Sequence, residues 1–495
     1  MSRSPRDPRR RLGACVVAAT LLLGSGVLWA VPASAAAPIL PAHDPFYAYS
    51  GSRPLSAIAP GTVLKTRTVD VSLLGNTTPV TAHQLLFRTS GELGQPTVTV
   101  TTVIRPATAA VQPKIVSYQS FYDALGGQCD PSFTLAGGDP GSANQQNADA
   151  EEGLITQFLA AGYVVNVPDF EGEDLEWAAG QESGWDTLDS IKAAEADLAV
   201  PASTEVGLFG YSGGSIGSEW ASELAPTYAP TLNLVGVAAG GIPVDFAHNL
   251  TYINGSASWA DVMPAVFLSL TKAFNIDLGK YLSPYGRNLV AKAQGQCINS
   301  LPATPGLTYQ KLLKPQYQDI FAVPEIAEMI NHLIMGSTPG HPAGPLLMGV
   351  GNADGTGDGV MIAADVEALA HEYCSQGVGI EFVAFDKLPH TEAAVPFDAL
   401  AIAFLEQRFA GVPFVGNCAT VTAGNSLAPL VVHRPTANPA QNATPATSGV
   451  RRSGTPAGGL AATGLDARLP LVALVALLMA LVVSRNRSRQ SQPGG

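Results

Sequence analysis

The sequence predicts an α/β protein with a mostly parallel central sheet, helices on both faces and an inserted, mainly helical cap. Three observations carry that prediction. Short β-branched or aromatic runs alternate with helix-like segments, the order that a parallel sheet covered on both sides requires. The 495 residues are 46% hydrophobic and 14% charged, enough apolar material for one large core, which excludes disorder of the whole chain. The strand rhythm stops between Pro243 and about Gly344, as it would where a segment is inserted between two core strands.

Taken in order, the candidate strands are "TVTVTTVI" (97–104), "KIVSYQ" (114–119), "YVVNVPD" (163–169), "VGLFGYS" (206–212), "LVGVAAGG" (234–241), "PLLMGVG" (345–351) and "GIEFVAFD" (379–386). Between the third and fourth, "GWDTLDSIKAAEADL" spaces its apolar residues as a helix does. The insertion, about 244–344, mixes helix-like pieces such as "DVMPAVFLSLTKAFNI" and "EIAEMINHLIMG" with Pro and Gly breaks. Its place in the strand order puts it over the C-terminal edge of the sheet, where ligands bind in open α/β sheets.

Both ends carry address-like features. Residues 1–35 read as an export signal, with Arg3, Arg6, Arg9, Arg10 and Arg11, an apolar run from about Ala14 to Val31, and the small-residue site Ala33-Ser34-Ala35. Cys15 lies at the very start of the apolar run, where a lipoprotein cysteine should follow it. The mature domain is expected over 36–419, a disordered linker over 420–459, and an anchoring segment over 460–495. That last segment runs "LAATG", a 15-residue apolar stretch (Leu469 to Val483) and a basic tail. It resembles a sortase sorting signal of the LAxTG kind found in Gram-positive actinobacteria, which implies cleavage between Thr463 and Gly464, sortase as a partner, and attachment to the cell wall. The plainer reading is a retained C-terminal membrane anchor, with the basic flank on the cytoplasmic side. Either arrangement puts the body of the protein outside the cell.

The formal charge is −13; taking away +4 for the first 35 residues (five Arg, one Asp) and +3 after Thr463 (four Arg, one Asp) leaves about −20. Nucleic acid and anionic lipid headgroups would be repelled. Outside the signal there are four cysteines, Cys129, Cys297, Cys374 and Cys418, an even number suited to two disulfides in an oxidising compartment, with three pairings possible. No CxxC or His-rich spacing supports a metal site.

The chemistry points to "EVGLFGYSGGSIGSEWASELA". Gly210-Tyr211-Ser212-Gly213-Gly214 fits G-x-S-x-G, with an apolar strand before and a helix after. A serine on so tight a turn takes a strained backbone conformation, and glycines two residues to either side remove side chains that would collide. The helix start behind it points free N–H groups toward a developing oxyanion. A serine hydroxyl needs a histidine base, and that base needs an acid to hold its tautomer. In the α/β-hydrolase arrangement these follow as Ser, Asp or Glu, His. Of His248, His332, His341, His371, His390 and His433, only His390 lies in the loop just after the last convincing strand. The acid should follow the preceding strand, where "LLMGVGNADGTGDGVMI" offers Asp354 and Asp358 with nothing to choose between them.

Six stretches in order resemble the secretory lipase family, the Candida antarctica lipase A-like group: "DPFY" (44–47), "SYQSFYDALGGQCDPS" (117–132), "YVVNVPDFEG" (163–172), "GYSGGS" (210–215), "YAPTLNLVGVAAGGIPVD" (228–245) and "PHTEA" (389–393). The resemblance as a whole runs from Asp44 to Cys418, about 375 residues. The resemblance implies an α/β-hydrolase core with a cap and a triad of Ser212, an aspartate and His390. It points to Asp358, 16 residues before Cys374, and leaves Asp354 as the alternative because this chain carries extra residues around "NADGT". It further implies disulfides Cys129–Cys297 and Cys374–Cys418, and an oxyanion held by Gly213 N–H and a protonated Asp123. The expected protein is thus a monomeric lipase or carboxylesterase acting on hydrophobic esters with no cofactor and no metal. Two rivals stand beside it. One is a peptidase of the prolyl-oligopeptidase-like type, which needs a site for a peptide amine that the sequence does not offer. The other is a binding module on a catalytically dead scaffold.

Overall fold

The computed structural model describes residues 39–432 apart from 74, 75 and 109. Nine strands form one sheet: β1 (Val63–Leu73), β2 (Asn76–Ser90), β3 (Pro96–Ile104), β4 (Ile115–Gln119), β5 (Val164–Pro168), β6 (Glu205–Tyr211), β7 (Asn233–Gly240), β8 (Leu346–Asn352) and β9 (Ile380–Asp386). The spatial order is β1-β2-β3-β5-β4-β6-β7-β8-β9. The first three strands and the β3–β5 pair are antiparallel, whereas every pair from β5 to β9 is parallel.

The helices are α1 (Pro131–Thr134), α2 (Ala143–Ala160), α3 (Gly180–Leu198), α4 (Gly213–Tyr228), α5 (Phe246–Ile253), α6 (Met263–Ala273), α7 (Pro284–Ala293), α8 (Tyr309–Leu312), α9 (Pro324–His332), α10 (Ala363–Ser375) and α11 (His390–Phe409). Alternation of side chains along each central strand divides the apolar residues between two cores. Val206, Leu208, Leu346 and Met348 pack with Leu188 of α3, Trp220 of α4 and Leu369 of α10. Val116, Tyr118, Phe209 and Leu347 face the other way, onto Phe158 of α2 and Phe397 and Leu405 of α11. A strand that feeds two cores is apolar at consecutive positions, so β3 to β9 were readable as runs.

The first two strands were not foreseen. Strand β1 is an edge, carrying Lys65, Arg67 and Asp70, with register irregularities between Val63 and Lys65 and between Asp70 and Ser72. Charges and bulges of this kind keep an exposed edge from pairing with another chain, and they also hide it from a search for apolar runs. In β2, Pro79 and a string of polar residues mask the pattern in the same way.

Between β7 and β8 the chain forms five helices, α5 to α9, and no strand among its described residues. Two disulfides staple outlying segments to the body. Cys129–Cys297 joins the segment after β4 to the insertion, and Cys374–Cys418 joins the end of α10 to the chain beyond α11. The turn after β4 is also sewn to the insertion by backbone bonds: Leu125 N–H donates to Gln296 C=O at 2.9 Å and Ile298 N–H to Asp123 C=O at 3.1 Å.

The tract expected to be a linker from 420 begins as part of the folded body. Val421 is buried, Thr422 N–H donates to Glu367, and Asn425 donates to Asp365 Oδ1 at 2.7 Å. Further on, Leu430 and the Asn331 side chain exchange two hydrogen bonds. Polar side chains on α9 and α10 thus take up the backbone groups of a segment whose composition alone reads as free. The export signal, the LAATG motif and the apolar run after it lie outside the described residues, and no helix among the described residues is long and apolar enough to cross a membrane.

Candidate active site

Strand β6 ends at Tyr211 and helix α4 begins at Gly213, so Ser212 alone makes the turn, with φ 55° and ψ −123°. A non-glycine residue in that region costs of order 1–3 kcal/mol and persists only where its surroundings hold it. Here Ser212 N–H donates to Gly240 C=O at 2.8 Å, and the Ser215 hydroxyl donates to Ser212 C=O at 2.6 Å. A Cβ on Gly210 would lie 2.1 Å from the Gly214 carbonyl oxygen, which cannot retreat without breaking the turn. Gly210→Ala is therefore expected to destabilise the fold by about 3 kcal/mol or more, measured by chemical denaturation.

His390 opens α11 and Asp358 lies in the loop after β8. The three side chains form one chain of hydrogen bonds: Asp358 Oδ2 to His390 Nδ1 at 2.7 Å, and His390 Nε2 to Ser212 Oγ at 2.7 Å. The other oxygen of Asp358 accepts the Val360 and Met361 N–H groups at 3.0 and 2.7 Å, which orients the carboxylate. The backbone repeats the link, with His390 N–H donating to Asp358 C=O at 2.9 Å. The Tyr211 hydroxyl donates to His390 C=O at 2.6 Å, and the Trp259 ring meets the imidazole edge to face at 5.3 Å between centroids. Asp358 and His390 are both buried, so the pair is shielded from water.

Asp354 is placed elsewhere. It is exposed, accepts the Tyr252 hydroxyl and caps its own turn through the Thr356 and Gly357 N–H groups. Desolvation is the largest single effect and raises its carboxyl, but the Gly357, Thr356 and Tyr252 donors together outweigh it and hold the carboxyl below the ordinary range. Of the other candidates, His248 is engaged with Asp365, His332 lies beside Glu92 and His371 meets Val421 C=O, while His341 is exposed. His433 lies outside the described residues.

Asp123 stands over the N-terminus of α4. A Cβ on Gly213 would come within 1.8 Å of Asp123 Oδ1, so only glycine allows this approach. Burial pushes the Asp123 carboxyl up to about 7, opposed by the charge of His390 and by a hydrogen bond from Trp177. Its Oδ1 has no hydrogen-bond partner in the protein. A buried carboxyl raised in this way, with one oxygen left without a partner, can donate when protonated to an oxygen that arrives later. Trp177 was missed by sequence reasoning, and nothing in "LEWAAG" marks it as a partner of a residue 54 positions earlier.

Above Ser212, the insertion closes an apolar pocket with Phe246, Leu250, Ile253, Val262 and Val266, faced by Ile216 and Met361. The free space is about 60 Å³. A site that encloses a drug-sized ligand measures on the order of 300–1,000 Å³, so the space over Ser212 is narrow in this structure. Among the described residues no cluster of three or more His, Cys, Asp or Glu could hold a metal ion.

A largely parallel sheet with a serine on the turn from β6 to α4, a histidine and an aspartate at later strand ends, and helices on both faces is the α/β-hydrolase fold. The structure of Candida antarctica lipase A in its closed state is similar, with a TM-score of 0.70 and 27% identity over 79% of this chain and 91% of that one. The chain belongs to the secretory lipase family, whose family model matches residues 140–417. Among curated relatives, lipase A of Arthroderma benhamiae is 32% identical over 79% of this chain and 84% of its own length. A Mycobacterium tuberculosis protein named as a probable inactive lipase is 31% identical over 77% of this chain and 85% of its own. The chain is thus a carboxylic ester hydrolase by family, of a kind that is exported and acts on hydrophobic esters.

Proposed function

We propose that this chain is an exported lipase or carboxylesterase that works through an acyl-enzyme on Ser212. His390 Nε2 takes the hydroxyl proton as Ser212 Oγ attacks the acyl carbonyl, while Asp358 holds the Nδ1–H tautomer and stabilises the imidazolium. The oxyanion is received by Gly213 N–H and by the protonated carboxyl of Asp123. His390 then returns its proton to the leaving alcohol, and a water activated by the same imidazole releases the acid. The apolar pocket beneath the insertion favours acylglycerols and other hydrophobic esters.

The observation that carries this reading is the unbroken hydrogen-bond chain from Asp358 through His390 to Ser212, 2.7 Å at each link. Fluorophosphonate labelling followed by peptide mass spectrometry tests it. A stoichiometric adduct on Ser212 is expected, together with turnover of p-nitrophenyl esters and none of aminoacyl anilides. An unlabelled, inert protein would make it a binding module, and cleavage of the anilides would make it a peptidase.

A second test is the pH profile. Asp123 donates only while protonated, and its carboxyl lies at about 7, so kcat should fall as pH rises through that value. Asp123→Asn, whose amide donates at every pH, should lose that alkaline limb.

For localisation, the reading is export through residues 1–35 followed by sortase joining of Thr463 to the cell wall. A lysozyme-released, wall-bound form ending at Thr463 would support it, and a form that keeps its apolar tail in the membrane would replace it with a plain anchor.

A further inference from the structure

We infer that Glu171 is a positioning residue for the reaction, gripping the turn 122–124 from both sides so that Asp123 meets the oxyanion. The inference rests on the reading of Asp123 as an oxyanion donor. Asp123 is itself strained, at φ 39°, a region that a non-glycine residue keeps only when its neighbours impose it. The residue before it and the residue after it are both bonded to Glu171. Glu171 N–H donates to the Tyr122 hydroxyl at 2.6 Å, and Ala124 N–H donates to Glu171 Oε2 at 2.8 Å.

The grip comes from the core. Glu171 follows β5 by three residues, and β5 pairs directly with β4, the strand that leads into the turn. The insertion holds the other face of the same turn through Ile298 N–H on the Asp123 carbonyl, and Trp177 holds the carboxyl itself. Glu171 is fully buried, and its second oxygen, Oε1, has no partner. Burial first, and then the neighbouring carboxyls of Asp123, Asp130 and Asp169, push its carboxyl well above the ordinary range, against the Ala124 N–H. A buried carboxyl in such company is costly, and a leucine would fill the space without that cost. What a leucine cannot do is accept the Ala124 N–H.

The test is a comparison of two substitutions. Glu171→Gln keeps an acceptor for Ala124 and is expected to retain kcat within about threefold. Glu171→Met removes the acceptor and is expected to lower kcat on the order of 10- to 100-fold with KM unchanged, since small misplacements of a reacting group have effects of that size. In an Asp123→Ala background the Glu171→Met change should have little further effect, because the group it positions is gone. Equal losses from Glu171→Met with and without Asp123, or a loss confined to KM, would overturn the inference. Should Glu171→Met fail to fold, Tyr122→Phe removes the other grip and should show the same split, smaller in size; an unaltered kcat there would overturn it equally. If Asp123→Ala alone leaves kcat intact, the oxyanion reading fails, which is a separate result.

Discussion

Replacing Ser212 by alanine is expected to lower kcat toward a p-nitrophenyl ester by about 10⁶-fold, and His390→Ala by a similar factor, because the two act as one unit. The hydrogen bond of 2.7 Å between them lets a proton leave Oγ as the bond to carbon forms. Without either partner there is no acyl-enzyme, and what remains is binding plus oxyanion stabilisation, roughly 10³ to 10⁴ over water. The double variant should therefore be no worse than either single one. Single-turnover kinetics check this directly, and a multiplicative loss in the double variant would show that the serine and histidine work apart.

The second large effect is expected at the acid. Asp358→Asn should reduce kcat by about 10⁴-fold, whereas Asp354→Asn should leave it close to that of the unaltered enzyme. The reason lies in how Asp358 is held. One of its oxygens is already committed to the Val360 and Met361 N–H groups, so an asparagine would set its carbonyl there. The amide N–H₂ would then face His390 Nδ1 and donate to it, moving the ring proton to Nε2. A histidine protonated at Nε2 cannot accept from Ser212. Steady-state kinetics of both variants test the assignment, and a large loss from Asp354→Asn would reverse it.

Much of this architecture was legible because burial leaves a mark on composition. The central strands β4 to β8 lie between two cores and read as apolar runs, and β3 and β9 still carry β-branched or aromatic stretches, whereas β1, with Lys65, Arg67 and Asp70 on an edge, carries no such mark. The serine could be read because its turn demands glycine at fixed offsets, a local constraint. His390 could be read from its place after the last strand. The acid could not, since Asp354 and Asp358 share one glycine-rich turn, and what separates them is which carboxylate the folded loop buries against the imidazole. Asp123, Trp177 and Glu171 were harder still. Their meeting depends on chain segments brought together over about 50 positions, and no residue near any of them signals it; Asp123 was named through family likeness alone.

The cross-link from Cys129 to Cys297, with the backbone bonds beside it, makes residues 296–298 belong mechanically to the sheet and not to the cap around them. The same short stretch bonds to the turn at two points, Gln296 C=O accepting from Leu125 N–H and Ile298 N–H donating to Asp123 C=O, so it braces the backbone on which Asp123 sits. Trimming away the whole of 244–344 would accordingly not give a smaller, permanently open enzyme, because the excised piece includes the strut that keeps Asp123 in place.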